Sequence, residues 1–73
     1  MVSQYTEAFA QNLISLMRER GITQRELSLA VDIPQQTLWR YIKCKREVSL
    51  EYLCRIADYF GEDVDVLIGR RDY

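Results

Sequence analysis

The 73-residue sequence contains no histidine. That absence removes imidazole acid–base chemistry, histidine-containing triads and histidine-ligated zinc. Cysteine is scarce: Cys44 and Cys54 stand outside any Cys-x-x-Cys pair. Zinc sites and thioredoxin-like redox sites therefore lack their spacing. Two free thiols, with no disulfide between them, fit a reducing cytoplasmic compartment. Long apolar runs are missing, so no membrane span is expected. Met1 to Ala10 lacks a cationic start followed by an apolar run, so no signal peptide is expected either. There is no phosphate-binding glycine loop, no metal-ligand cluster and no base beside a nucleophile. An enzyme is thus not expected, nor is a cofactor or a metal. Surplus positive charge is also missing: ten basic and eleven acidic residues leave a formal charge of −1. Taken alone, that balance argues against a nucleic-acid partner.

What is present points to a small folded domain. Apolar residues make up 48% of the chain, which suits a globular fold rather than disorder. The length allows one domain over 1–73 and a modest core. Three glycines and one proline punctuate the sequence at intervals of one short helix. No strand-like alternation, internal repeat or low-complexity segment appears.

The first helix is predicted over about 4–20, with Phe9, Leu13, Leu16 and Met17 at three- and four-residue spacing. Gly21 ends it as a left-handed cap. Thr23 and Glu26 form a capping box that starts the second helix. Leu27, Ala30 and Val31 make its apolar face, and Asp32 and Ile33 form a turn. Pro34 opens the third helix, where a first turn needs no amide donor. Leu38, Tyr41 and Ile42 share one side of it. Gln35, Gln36, Trp39 and Lys43 share the opposite side, with Arg40 at the edge. A fourth helix is predicted over about 49–60, capped by Ser49, with Leu50, Leu53, Ile56, Ala57 and Phe60 inward. Asp63 caps a last helix over 64–68, closed by Gly69. Arg70, Arg71 and Tyr73 form a frayed tail within 70–73. The fold class is therefore all-α, a compact bundle of five short helices.

The stretch from Gln24 to Ile42 has the residue pattern of a helix-turn-helix, spanning about 23–43. Leu27, Ser28, Val31, Ile33, Leu38 and Tyr41 form the motif core that fixes the angle between its two helices. Ser28 is small where the helices cross. Residue 32 must turn the chain sharply with positive φ, which aspartate tolerates at some cost.

The phrases GITQREL, IPQQTLWRYI, KREVSLEYLCRIADYFG and VDVLIG stand in order and in register. With them the chain resembles the lambda-repressor and Cro-like (XRE) family of helix-turn-helix regulators over nearly its whole length. The resemblance implies a recognition helix, 34–43, that enters the DNA major groove. It implies base reading by Gln35, Gln36, Trp39 and Arg40. Glutamine suits adenine N6/N7 and arginine suits guanine O6/N7. It implies phosphate positioning by Thr23, Gln24, Lys43, Lys45 and Arg46.

Several positions depart from the family pattern. Asp32 and Cys44 stand where glycine is usual, and Pro34 stands where a serine or threonine cap is usual. Trp39 is bulkier than the small polar residue common there; DNA contact and packing both remain open to it. Met17 and Ile42 replace an Arg–Glu pair, an exchange that an apolar pair of similar volume tolerates, and a direct Met17–Ile42 core contact is predicted.

The expected function is a sequence-specific DNA-binding regulator, most simply a repressor. It would act as a homodimer on a two-fold-symmetric site in double-stranded DNA, with the dimer surface around Val66 and Ile68. The alternative is a protein-interaction module of the same fold, an antitoxin or co-regulator adaptor. Trp39, Tyr52 and Tyr59 would then anchor a protein partner. Charge is unevenly distributed. Arg18 to Arg46 holds seven basic and three acidic residues, and no acid falls between Pro34 and Arg46. The positive half of the chain coincides with the motif.

Overall fold

The computed structural model describes residues 3–71. Five helices follow one another: α1 (Gln4–Arg20), α2 (Gln24–Val31), α3 (Gln35–Ile42), α4 (Leu50–Phe60) and α5 (Val64–Leu67). There is no strand among the described residues. The all-α, five-helix architecture read from the sequence is the one observed.

The helix starts follow their residues. Ser3, Thr23 and Ser49 each accept the backbone N–H three residues on, at 3.2, 3.1 and 3.2 Å. Glu26 completes the box at α2 by accepting the Thr23 N–H at 2.9 Å. Two starts differ in part from expectation. Pro34 occupies the cap position of α3, with extended ψ of 138°, as its replacement of the usual serine or threonine cap implies, and so lies one residue before the first helical turn where a proline is also at home. Asp63 stands at the α5 cap but makes no side-chain cap bond. Its carboxylate pairs instead with Arg71.

All five helix ends use one device. Gly21, Asp32, Cys44, Gly61 and Gly69 lie in the left-handed region, with φ between 55° and 79°. After each, the next amide reaches back five residues to a carbonyl: Ile22 to Met17, Ile33 to Ser28, Lys45 to Arg40, Glu62 to Ala57 and Arg70 to Asp65. These are Schellman closures, which satisfy carbonyls that a helix end leaves free. Gly69 has a second reason to be glycine: a Cβ there would stand 2.7 Å from the Ala8 Cβ.

One apolar cluster joins the elements. It contains Phe9, Leu13, Leu16 and Met17 of α1, Leu27 and Val31 of α2, Ile33 of the turn, and Leu38 and Tyr41 of α3. Leu53, Ile56, Ala57 and Phe60 of α4 and Leu67 of α5 complete it. Ile42 packs against the same cluster, so both members of the replaced pair lie in apolar surroundings. Phe9 and Tyr41 meet edge to face, ring centroids 5.9 Å apart. Helices of four to eleven residues are marginal alone, so α2 to α5 depend on this burial.

Side-chain donors bridge distant elements at helix ends. Asn12 Nδ2 donates to the Val66 and Leu67 carbonyls at 3.0 and 2.9 Å. Arg20 Nη2 donates to the Phe60 carbonyl at 2.7 Å and lies over that residue's ring. Positive charge at a helix C-terminus is favoured by the helix dipole.

Four expectations need correction. Ala30 is exposed, at an open cleft that it lines with Val31 and with Arg55, Asp58 and Tyr59 of α4. Leu50 opens α4 at 80% exposure, one turn before the core begins at Leu53. Val66 is buried within the domain, so it offers no exposed side chain to a second copy, while Ile68 is half-buried against the core. Arg70 and Arg71 are held by the Asp65 carbonyl and by Asp63, so the described part of the tail is not frayed. Tyr73 lies outside the described residues.

Candidate nucleic-acid interface

The site is built on α2, the turn and α3. Leu27 and Val31 anchor α2, Ile33 anchors the turn, and Leu38 and Tyr41 anchor α3; all five are buried. Ser28, half-buried, does more than leave room. Its hydroxyl donates to the Ile33 carbonyl at 2.6 Å while its own carbonyl accepts the Ile33 N–H at 3.2 Å. The two bonds clasp the turn from both sides. Asp32 takes φ of 55°, the sharp turn its position requires.

With Leu38 and Tyr41 inward, the helical period turns the other residues of α3 outward. Gln35, Gln36 and Trp39 are exposed, and Arg40 is half-buried at the edge of that face. Trp39 keeps 41% of its surface in water, so its indole is not part of the core. Lys43, Lys45 and Arg46 follow on an exposed loop whose backbone is set by Cys44, φ 57°. Both cysteines are free thiols. Gln24 is half-buried at the start of α2, and the Thr23 hydroxyl accepts the Glu26 amide while keeping its own hydrogen to donate. The face therefore presents amide, indole and guanidinium groups beside three cationic side chains.

The charge partition needs one correction. Arg20 belongs to the basic stretch by sequence, but its guanidinium is held at the end of α4. The positive charge near α3 comes from Arg40, Lys43, Lys45 and Arg46, with no acid between Pro34 and Arg46. Burial raises the Tyr41 hydroxyl above the ordinary tyrosine value, opposed by the Ser49 backbone and the Arg46 guanidinium.

By sequence Arg55 is simply a residue of α4 between Tyr52 and Tyr59. In the fold it reaches from α4 to the turn. Its Nη1 donates to the Asp32 carbonyl at 3.0 Å and lies 3.4 Å from the Val31 carbonyl. Its Nη2 pairs with Glu51, and the guanidinium lies 5.3 Å from the Tyr52 ring centroid. The four-residue spacing of Glu51 and Arg55 signals their pairing. Nothing local signals the bond to the turn, which spans more than twenty residues of sequence.

Among the described residues no group of acidic and cysteine side chains is placed to hold a metal ion. No described helix is long and apolar enough to cross a membrane. A family model described as "Helix-turn-helix" matches residues 13–67, from the middle of α1 to the last residue of α5. No curated protein and no solved structure matches the chain.

Proposed function

The chain belongs to the helix-turn-helix family of lambda-repressor and Cro-like (XRE) DNA-binding domains, and on that premise we propose that it is a sequence-specific repressor. In this reading α3 lies in the major groove. Gln35, Gln36 and Arg40 hydrogen-bond base edges, and Trp39 packs on a thymine methyl or a sugar. Gln24, the Thr23 hydroxyl, Lys43, Lys45 and Arg46 hold phosphates and fix the register. The observation that supports this most is the exposed row on α3 beside Lys43, Lys45 and Arg46, in a stretch from Pro34 to Arg46 that holds no acid. A single small module gives limited affinity, so two copies would occupy a two-fold-symmetric site, half-sites roughly 34 Å apart. Bound there, the protein would repress by blocking access to the site, inside the cytoplasm.

Selection of binding sites from random duplex DNA tests the reading directly. A palindromic consensus with half-sites one turn apart is expected. Gln36→Ala and Arg40→Ala should each lose roughly 1–3 kcal/mol on that consensus and relax preference at one position. Affinity should fall steeply between about 50 and 200 mM salt. Recovery of no preferred sequence would falsify the reading.

A second reading, an adaptor or antitoxin that docks a protein, draws on the exposed apolar side chains Leu29, Trp39, Leu50 and Tyr59. It predicts that the Gln36 and Arg40 variants behave as the parent.

A further inference from the structure

We propose that Arg55, on α4 and outside the motif, is a positioning residue that sets how α3 is presented to DNA; the proposal rests on the DNA-reading role above. The turn between α2 and α3 decides the direction of α3, and its conformation is one that a non-glycine residue adopts only when held. Asp32 has φ of 55°. Two independent ties hold it. One is internal, the reciprocal Ser28–Ile33 bonds. The other is Arg55, whose guanidinium meets the carbonyls at the end of α2 and in the turn.

The guanidinium is itself held on two further sides. Glu51 pairs with Nη2, one helical turn back on α4. The Tyr52 ring lies against it, and Tyr52 also lines a cleft with Thr37 and Tyr41 of α3. α4 thus meets the motif at the turn through Arg55, and Tyr52 faces Thr37 and Tyr41 of α3 across the cleft. A planar, five-donor guanidinium can serve the carbonyls and Glu51 together, whereas a lysine ammonium offers only a point charge. Arg55 therefore fixes the entry to α3 without approaching the base-reading side chains.

The test uses the full chain and two readouts. Amide hydrogen exchange without DNA follows Ile33, whose N–H closes the α2 end, against Ile22 and Glu62, which close α1 and α4 in the same way. In Arg55→Met the Ile33 rate should rise about tenfold with Ile22 and Glu62 unchanged, the size expected for loss of a charged hydrogen bond. Binding to the selected site and to random duplex then follows. The specific-to-random affinity ratio should fall about tenfold at an unchanged salt slope, and Arg55→Lys should restore part of it. An unaltered Ile33 rate overturns the proposal. Equal losses on both duplexes with a shallower salt slope also overturn it, because Arg55 would then be a phosphate contact. If Arg55→Met unfolds, all three amides accelerate together; Glu51→Gln, which removes only the anchor of the guanidinium, then gives the same pattern at smaller size or refutes it. A parent chain without any preferred sequence overturns the DNA role, a failure distinct from that of the clamp because the Ile33 rate still responds.

Discussion

α3 and α4 are neighbours in sequence and are held in opposite ways. α4 carries a device at each end, the Ser49 cap and Gly61, and Arg20 of α1 holds its last carbonyl. α3 has none of these. Pro34 offers no side-chain cap, its end turns on Cys44 rather than glycine, and just two of its eight residues are fully buried. The helix that offers its face outward is held by packing, while the one behind it adds end caps to its packing. An exposed face and local stability compete for the same few residues in so short a helix.

The largest expected effect tests this dependence on packing. Leu38→Ala removes a fully buried side chain from α3 and should cost about 2–5 kcal/mol in denaturant unfolding. Removing the α4 cap by Ser49→Ala should cost about 1 kcal/mol. A smaller loss at Leu38 than at Ser49 would break the comparison.

The two helix ends give the next test, with opposite signs. Gly61→Ala should cost about 1 kcal/mol, since its φ is 69° although no atom lies within 4 Å of the added Cβ. Cys44→Gly should gain up to about 1 kcal/mol, raising the melting temperature by several degrees. Asp32→Gly should gain less, about 0.5 kcal/mol, because aspartate tolerates this region better than cysteine. A destabilised Cys44→Gly would mean that the thiol contributes packing that outweighs backbone relief.

The smallest effect is one of pH. The core residues of α4 do not titrate, but α3 buries Tyr41, whose hydroxyl is raised by burial. Below the ordinary value of 10.0 both folded and unfolded chains keep that proton, and the contribution is complete. As pH rises past it the unfolded chain ionises first, so stability falls until the folded group also titrates. Melting temperature should therefore decline in alkali, and Tyr41→Phe should flatten the decline. An identical decline in the variant would assign it to other groups.

Much of this arrangement was legible because it is written in local signals. Gly21, the Thr23–Glu26 box, positive φ at Asp32 and the apolar spacing of α1 and α4 act within a few residues. Ala30 and Leu50 misled because periodicity names a face and not whether another helix covers it. Arg20, Arg55 and Asn12 were unreadable for a different reason. Each donates to carbonyls more than twenty residues away, and a carbonyl leaves no trace in residue identity. On the candidate interface, the outward row of α3 follows from its period, whereas the tie that aims the helix does not.

The exposed indole has a practical consequence. Trp39 is the only tryptophan in the chain, and it stands on α3 already meeting water. Its emission should therefore shift less on melting than that of a fully buried indole, since two-fifths of its surface is already in water. Docking a duplex on α3 would strip that water away and place bases beside the ring. The molecule thus carries a single built-in optical probe that sits on the face a duplex would cover.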